Sequence, residues 1–511
     1  MPNPGPRRPA LHERAHAIGL LIAYFTLLRL ALAAIVPLLP QEAYYWSWSR
    51  HLDWSYFDHP PLATYSIALT TAVFGQNVFA VKLAAVLWSL AWNLVWARLV
   101  LDMYGDRRLA FWSLAALNLT LVYQVFGLAP TPDAPLVFAW SASIWALWKL
   151  VQTGHARWWF AAGACIGVSW LAKYAGVLLL PVVLLLLVSS PRQRHWLGRP
   201  QPWLAALLAL LVFAPVLWWN AQHDWVSLAF QSSRRIGQMS GFEPRYFALL
   251  VGTQFLLLTP YVFVLVVAAL WREGRRWFAG GLDDRARLLW LSGALPITFF
   301  TLVSLRSIVK LNWLAPAYFS LVILGVDHLL RQADGLRRLK RGLAGSTVFL
   351  LVVCAAALIP NLPIAGDLNS WSGWREAAAR VAKVEQQVRA GGGNAFVFAP
   401  NYKISSLIRF YLPGQPRTYA QDIYGEKALQ YDYFPLASDL KGQTGILVLS
   451  DQDQGDLDLA RLAPFFDHCN LADTLQEGAF GKRTRRVEIY RCTNYRGHPP
   501  RRDAGAQPAS D

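Results

Sequence analysis

Apolar stretches long enough to cross a membrane recur through the first 363 residues, separated by short polar segments. A transmembrane helix needs about 20 mostly apolar residues. The runs that approach this length are residues 16–39, 81–103, 109–127, 134–152, 202–220, 245–271, 287–304, 312–330 and 345–363. The stretch 157–190 is too long for one span and is interrupted near Lys173, so we interpret it as two short helices. The pattern predicts a polytopic α-helical membrane protein with about eleven spans.

Basic residues concentrate in the segments between the apolar runs. Arginine occurs in the N-terminal head and in the segments near 107, 157, 192–199, 272–287 and 331–341. Short loops rich in Lys and Arg remain on the cytoplasmic side of a membrane. With 157–190 counted as two spans, all these segments fall on one side. The pattern predicts a cytoplasmic N-terminus (1–15), a transmembrane domain (16–363) and a C-terminal region on the opposite side.

The amino-acid composition agrees with this interpretation. Charged residues make up 15% of the chain and hydrophobic residues 55%, whereas a soluble protein has about 25% charged residues. A net charge of +17 would suit nucleic acid, but the position of the basic residues between the spans explains it. The predicted partner is therefore the lipid bilayer, and no nucleic acid.

The segment 364–495 has a different character from the rest of the chain. Short β-like runs at 395–399, 445–449 and 486–490 alternate with helical patterns. One helix near 374–390 repeats apolar residues on a single face, namely Ala377, Val381, Val384 and Val388. The segment predicts a small α/β domain, followed by a disordered tail at 496–511. Cys469 and Cys492 lie in this domain, and whether they form a disulfide stays open.

The first loop outside the membrane, residues 40–80, combines aromatic and ionisable side chains. Aromatic residues are enriched where headgroups meet acyl chains, and the apolar stretch 62–79 suits a helix lying at that interface. An ionisable group held there costs several kcal/mol unless it is paired or hydrated. We therefore predict functional roles for Glu42, Asp58 and His59, and a solvated surface position for Asp53. The alternative is an aromatic belt with ordinary solvated acids.

Other loops on the same side supply complementary groups. With Tyr45 of the first loop, the candidate substrate-binding residues are Asp133, Lys173, Tyr174, His223, Arg306, Lys310 and Asn312. Basic residues on this side oppose the positive-inside trend, and an anionic ligand such as a lipid phosphate explains them. For Arg234, Arg235 and Arg306 the binding of anionic lipid headgroups is an equal alternative.

Three short motifs resemble the bacterial branch of the protein O-mannosyltransferase-like glycosyltransferases. They are Glu42-Ala43-Tyr44-Tyr45-Trp46, Tyr56-Phe57-Asp58-His59-Pro60-Pro61 and Thr131-Pro132-Asp133-Ala134-Pro135-Leu136. This family belongs to the GT-C superfamily and includes the aminoarabinose transferase of lipid A. The resemblance covers roughly residues 10–330. The family's first-loop element is an Asp-Glu pair, and Gln41 stands at the first position here, so the role of base falls to Glu42 or to Asp58.

The resemblance implies a multi-pass protein of the bacterial inner membrane, with a catalytic domain at 16–363 and an active site facing the periplasm. It implies inverting transfer of a hexosyl or pentosyl group from a polyprenyl-phosphate-sugar donor. The acceptor would be an envelope glycolipid such as lipid A or lipopolysaccharide, or a protein. The domain at 364–495 would then be periplasmic. The residues themselves leave the sugar and the acceptor open.

The candidate residues fit this chemistry. Because the leaving group is a lipid phosphate, no protonated general acid is needed. A carboxylate that removes the acceptor proton accelerates the reaction by about 10²–10⁴-fold. We predict that Glu42 is this base, or orients the ligand, and that Asp58 and His59 complete the acceptor side. Cations stabilise the departing phosphate, and Lys173, Lys310 and Arg306 would supply them. No cofactor is required, although Asp58 and His223 are a possible pair of ligands for a divalent metal ion.

Two other functions remain open. A transporter or lipid flippase would use the acids as proton relays and would have internal repeats and charges near the middle of the membrane. The nearest intramembrane charges are Arg29 and Lys82. A glycan polymerase or ligase would be a transferase with a polymeric acceptor. In the C-terminal domain, Tyr402, Tyr411 and Asp432 are candidates for acceptor contact and equally for core and surface of a small domain.

Overall fold

The computed structural model describes residues 16–232, 237, 241–359, 373–434, 440–450, 457, 459–479 and 482–497. Arg234, Arg235 and the predicted disordered tail beyond residue 497 lie outside the described residues. The chain divides into two compact units. The membrane unit comprises Met1–Ile35 and Asp53–Val353, and the C-terminal unit comprises Val36–Leu52 and Cys354–Asp511. The hydrophobic pattern did not predict that residues 36–52 belong with the end of the chain.

The α-helices follow one another through both units. Their bounds are α1 (Ala17–Ile35), α2 (Pro40–Ser49), α3 (Leu62–Phe74), α4 (Val78–Tyr104), α5 (Arg107–Asn118), α6 (Leu121–Phe126), α7 (Asp133–Thr153), α8 (Arg157–Ala172), α9 (Leu179–Ser189), α10 (Pro200–Gln222), α11 (Val226–Gln231), α12 (Pro244–Leu257), α13 (Pro260–Phe278), α14 (Asp284–Ser304), α15 (Ala315–Leu330), α16 (Gly335–Leu358), α17 (Trp374–Ala390) and α18 (Tyr402–Tyr411). The strands are β1 (Ala395–Phe398), β2 (Thr418–Tyr419), β3 (Thr444–Ser450), β4 (His468–Ala479) and β5 (Lys482–Thr493).

Six of the described helices are long and apolar enough to cross a membrane, and the bent pair α12–α13 makes up to seven. The six are α1, α4, α7, α10, α14 and α16. Several of the other predicted spans are shorter than a full span. The run 109–127 is divided between α5 and α6, and α15 has only 16 residues. The predicted count of about eleven therefore stays a prediction.

Two breaks in the helices follow from local chemistry. Lys173 has an extended backbone (φ −160°, ψ 141°) between α8 and the helical segment that starts at Tyr174, which is the break expected inside 157–190. Between α12 and α13 the axis turns by 118°. Thr259 there has a φ of 63° and precedes Pro260, whose ring disfavours helical geometry in the residue before it. The single span expected over 245–271 is therefore a bent pair.

The helices that flank the later site pack closely through small residues. A Cβ atom on Gly163 of α8 would lie 2.4 Å from the carbonyl oxygen of Ala205 in α10, and one on Gly167 would lie 2.9 Å from that of Ala209. Such Gly-x-x-x-Gly spacing lets two membrane helices approach backbone to backbone. Because 163 faces 205 and 167 faces 209, α8 and α10 run parallel. Their C-terminal ends therefore lie at the same end of the membrane unit.

Arg29, one of the intramembrane charges, is fully buried in α1 and bonds to neutral groups. Its Nη2 donates to Asn118 Oδ1 at 2.8 Å and to the backbone oxygen of Tyr123 at 3.2 Å. The guanidinium also lies 5.8 Å from the ring centroids of Phe25 and Trp92. These contacts connect α1 to the break between α5 and α6, which is a structural role.

The C-terminal unit contains a mixed five-stranded sheet with the order β2-β1-β3-β5-β4. β1 is parallel to β2 and β3, whereas β5 is antiparallel to β3 and β4. The predicted helix is α17, and its four apolar positions are all buried as expected. The three predicted strands correspond to β1, β3 and β5. The small C-terminal α/β domain predicted from the pattern is therefore confirmed.

A disulfide joins the last two strands. Cys469 lies opposite Cys492 in the β4–β5 ladder, and their sulfur atoms are bonded. This answers the question that the sequence left open. Disulfides form and persist in oxidising compartments such as the bacterial periplasm.

A buried acid in the C-terminal unit gives a first prediction. Asp422 is 4% exposed and accepts a hydrogen bond from the backbone N–H of Ala420, and burial raises the pKa of its carboxyl to about 7. The unfolded chain releases this proton near pH 4, so stability falls as the pH rises from about 4 to 7. Asp422→Asn is expected to match the wild type in Tm at pH 4 and to exceed it by several degrees at pH 8. An equal Tm difference at both pH values would contradict this.

Candidate active site

A buried ion pair marks the beginning of α7. The carboxylate of Asp133, in the first turn of α7, accepts from Lys173 Nζ at 2.7 Å and from Asn312 Nδ2 at 2.6 Å. Asp133 is 2% exposed and Lys173 6% exposed. The carboxylate also lies at a helix N-terminus, where the helix dipole favours negative charge. We call these three residues the Asp133 cluster; the sequence singled out each of them without predicting that they meet.

The Asp133 cluster holds the segment between α14 and α15 in place. Asn312 belongs to this segment, and the backbone oxygen of the preceding Leu311 accepts from Gln254 Nε2 at 3.1 Å. Gln254 is itself held by the hydroxyl of Tyr318 at 2.7 Å. The same segment contains Arg306 and Lys310, both exposed. Two predicted phosphate-binding cations therefore lie on a segment whose C-terminal end is fixed.

A second group of contacts surrounds Tyr174, just after the break that follows α8. Its hydroxyl lies 2.6 Å from Ser227 Oγ in α11, and the side chains of Asn220 and Ser55 and the charge of Asp58 act on it. Asp58 is 7% exposed, and its backbone oxygen accepts from Gln231 Nε2 at 2.7 Å. The structure thus brings the Asp58 motif of the first loop to Tyr174 and to the end of α10. His59 beside it is half-buried.

The end of α10 is held by Asp53 and shows backbone strain. Asp53 Oδ2 accepts from Trp219 Nε1 at 2.8 Å, and the ring of His223 stacks on Trp219 with centroids 4.0 Å apart. Asp53 is exposed, as expected, but its carboxylate also anchors the first loop to α10. This anchoring role was not predicted from the sequence. The next two residues, Asp224 and Trp225, have φ values of 51° and 57°. Such conformations are unfavourable outside glycine and cluster at functional sites.

The predicted metal pair, Asp58 and His223, gains no third ligand among the described residues. Among the described residues, no three His, Cys, Asp or Glu side chains form a group that could hold a metal ion. His223 Nδ1 lies 2.8 Å from the backbone oxygen of Trp219, and second-shell bonds of this kind commonly orient a metal-binding histidine. Binding of a divalent ion by Asp58 and His223 therefore stays a prediction that rests on two residues.

Glu42 and Tyr45 lie in the C-terminal unit, on α2. Glu42 is fully buried in the first turn of α2, and its Oε2 accepts from the backbone N–H of Leu39 at 2.7 Å. The N-terminus of a helix favours the negative charge of such a carboxylate. Glu42 also acts on Tyr411, where burial, the largest cause, and this charge raise the pKa of the phenol. Tyr45 is 4% exposed and packs edge-to-face on Trp48.

The structure adds residues that the sequence analysis did not select. Trp219, Ser227 and Gln231 each bond to a predicted site residue or to the first loop. The sequence did not distinguish these three residues, because polar residues commonly follow the apolar run at the end of any span. Lys82, already noted as an intramembrane charge, is 1% exposed near the start of α4, and a buried lysine in an apolar helix is a functional candidate in its own right.

Comparisons with known proteins find similar glycosyltransferases. The family described as dolichyl-phosphate-mannose-protein mannosyltransferase matches residues 58–219. The lipid A galacturonosyltransferase RgtD of Rhizobium johnstonii is 27% identical over 431 residues, 80% of this chain and 85% of that protein. The undecaprenyl phosphate-alpha-4-amino-4-deoxy-L-arabinose arabinosyl transferase of Pseudomonas paraeruginosa is 29% identical over 347 residues, 61% of this chain and 58% of that protein.

Solved structures share the fold. ArnT from Cupriavidus metallidurans in the apo state matches with a TM-score of 0.61 at 15% identity, over 93% of this chain and 98% of that one. The same protein bound to undecaprenyl phosphate matches with a TM-score of 0.59 at 17% identity. The predicted resemblance to protein O-mannosyltransferase-like glycosyltransferases is confirmed, as is the predicted multi-pass helical inner-membrane fold with a small C-terminal α/β domain. The number of spans and the periplasmic location of that domain stay predictions.

Proposed function

We propose that this chain, a membrane glycosyltransferase with the GT-C fold, transfers one sugar from a polyprenyl-phosphate donor to lipid A, with inversion at the anomeric carbon. The observation that carries this proposal is the Asp133 cluster, in which residues from three separate segments meet at one end of the membrane unit. The relatives named above act on lipid A or are named for an undecaprenyl-phosphate-linked sugar. Both the donor class and the acceptor class are taken from them.

The residues receive distinct roles in this proposal. Lys173 is bonded to Asp133 at 2.7 Å, so we assign it to holding that carboxylate and the segment bearing Asn312. Arg306 and Lys310, exposed on that segment, bind the phosphate of the donor and stabilise its charge as it departs. Asp58 and His59 orient the acceptor. A divalent ion at Asp58 and His223 would supply further positive charge for the phosphate.

Glu42 is the general base of this proposal. The acceptor hydroxyl attacks the anomeric carbon while its proton passes to a carboxylate, and the carbon–oxygen bond to the lipid phosphate breaks. The phosphate leaves as an anion and needs no proton. Removal of the hydroxyl proton by a positioned carboxylate raises the reaction rate by about 10²–10⁴-fold. Asp58 is the alternative base, and the two carboxylates lie in different units of the chain.

We place the loops that bear these residues, and the C-terminal unit, on the periplasmic side. The arginine-rich segments near 107, 192–199, 272–287 and 331–341 suit the cytoplasmic side, and the residues of the Asp133 cluster lie at the opposite ends of the adjoining helices. The Cys469–Cys492 disulfide suits the oxidising periplasm. These two independent features support the same orientation.

Transfer by the purified full-length protein tests the proposal. The protein, reconstituted in liposomes, is given lipid A with either undecaprenyl-phosphate-linked aminoarabinose or a polyprenyl-phosphate-linked galacturonic acid. Mass spectrometry is expected to show lipid A heavier by one sugar with one of these donors. Unchanged lipid A with both donors would refute the assignment of the acceptor or donor class. A ladder of several added sugars would instead identify a polymerase.

A further inference from the structure

Three arginines of the C-terminal unit have no acidic partner among the residues that the structure describes. Arg50 follows α2, Arg409 lies in the last turn of α18 and Arg417 immediately precedes β2. Within the described part of the chain, none of the three guanidinium groups forms an ion pair or a hydrogen bond. Other arginines of this unit do, for example Arg461 with Glu426 at 2.7 Å and Arg496 with Asp467 at 2.9 Å.

The packing of α2 on α18 brings Arg50 and Arg409 to the same end of the unit. The ring of Tyr44 lies 4.3 Å from that of Tyr402, and the ring of Trp46 lies 4.8 Å from that of Phe410. The charges of Arg50 and Arg417 both act on Arg409. Arg50, just after α2, and Arg409, in the last turn of α18, therefore lie close together.

β2 holds Arg417 beside α18, where its charge acts on Arg409. Ser405 Oγ in α18 donates to the backbone oxygen of Tyr419 at 2.7 Å, and Thr418 Oγ1 donates to the backbone oxygen of Ser405 at 2.9 Å. The guanidinium of Arg417 lies 4.9 Å from the ring centroid of Tyr419. Arg417 is thus fixed beside α18, and aromatic rings border the cluster.

Burial makes the missing partner costly for Arg409. Its side chain is 6% exposed, its Nε is buried without a hydrogen-bond acceptor, and its guanidinium lies 5.6 Å from the ring centroid of Trp46. Burial and the nearby charges of Arg409, Arg417 and Arg50 together hold the pKa of His51 at about 4. A buried cation among like charges is unfavourable unless an anion joins it.

The groups already in the unit offset this charge only in part. The C-terminal ends of α2 and α18 contribute roughly half a negative charge each, against three guanidinium groups. Asp422 acts on Arg417 at a distance, but its pKa of about 7 leaves it only partly ionised near neutral pH. The cluster therefore has an excess of positive charge.

We infer that Arg50, Arg409 and Arg417 form a binding site for a phosphate group of the acceptor lipid. Guanidinium groups bind phosphate oxygens in pairs of parallel hydrogen bonds, and lipid A is a phosphorylated glycolipid. This inference rests on the proposed function, because it takes the acceptor from there, and no part of the transfer chemistry is assigned to the three arginines.

Kinetics with the full-length protein test the site. Initial rates are measured with lipid A and the donor varied separately, for the wild type, Arg409→Gln, Arg417→Gln and the control Arg461→Gln. The KM for lipid A is expected to rise about tenfold or more in the first two variants, with the KM for the donor unchanged. The wild type should lose affinity similarly for lipid A from which the phosphates have been removed. The control should behave like the wild type.

Several results would overturn the inference. An unchanged KM for lipid A in both variants excludes the site, and a raised KM for the donor assigns the cluster to the donor phosphate instead. A lower Tm in Arg417→Gln indicates a structural role, since removal of a repelling charge should keep or raise the Tm. If the wild type transfers no sugar to lipid A, the proposed function has failed. In that case, binding of the full-length protein to lipid A is compared with its binding to dephosphorylated lipid A, both in liposomes and without donor. Weaker binding to the dephosphorylated lipid would support the phosphate site, and equal binding would exclude it.

Discussion

Lys173→Met is expected to destabilise the protein by roughly 3–5 kcal/mol and to abolish detectable sugar transfer. The substitution leaves the carboxylate of Asp133, 2% exposed, buried without its cation. A buried charge that loses its partner costs far more than the pair contributes. The segment bearing Arg306 and Lys310 should loosen with it, because Asn312 bonds to the same carboxylate. Thermal unfolding in detergent and the transfer assay measure the two effects.

The double variant Asp133→Asn/Lys173→Met separates the structural role from a functional one. It removes both charges and leaves side chains of similar size, so most of the lost stability should return. Transfer should remain low if the ion pair sets the geometry of the donor site. A double variant that regains wild-type transfer would show that the pair only balances charge. A single variant as stable as the wild type would contradict the burial argument itself.

Glu42→Gln is expected to reduce kcat by about 10²–10⁴-fold while leaving the Tm nearly unchanged. The amide oxygen of glutamine can still accept from the backbone N–H of Leu39, so the start of α2 keeps its hydrogen bond. The negative charge and the ability to take a proton are lost. The substitution therefore removes the proton acceptor but keeps the local structure. A fall in kcat without a fall in Tm would show that Glu42 acts as the base.

Asp58→Asn provides the matched comparison for Glu42→Gln. Gln231 bonds to the backbone oxygen of Asp58 and not to its carboxylate, so this contact survives the substitution. If Glu42 is the base, Asp58→Asn should affect the KM for the acceptor more than kcat. A large loss of kcat in Asp58→Asn with near-normal turnover in Glu42→Gln would transfer the role of base to Asp58.

Local sequence patterns were sufficient to predict the main elements. Runs of apolar residues located the long helices, and the polar interruption at Lys173 correctly separated α8 from the helical segment after it. The one-face spacing of Ala377, Val381 and Val384 identified α17. These features are local, because each depends on residues within one or two helical turns. The bend before Pro260 is also a local feature, but an uninterrupted apolar run concealed it.

Features that depend on distant parts of the chain could not be predicted in this way. Asp133 and Lys173 were both selected, yet the cation was assigned to a lipid phosphate, and only the structure shows that it bonds to the carboxylate. Asp53 was expected to be solvated, whereas its partner Trp219 lies 166 positions further along the chain. A hydrophobic pattern records which face of an element is buried. It does not record which other element covers that face.

The placement of α2 with the end of the chain has a consequence for biogenesis and for truncation. The backbone N–H of Leu38 bonds to the hydroxyl of Tyr411, 373 positions away, so the ribosome has synthesised most of the protein before α2 meets its packing partner. A chain that stops after α16 could still insert its hydrophobic helices, yet the motif that begins at Glu42 would lack the surface on which it folds. Conversely, a fragment that contains only the end of the chain lacks part of the C-terminal unit. Residues 36–52 would have to be added to it, for instance by fusion.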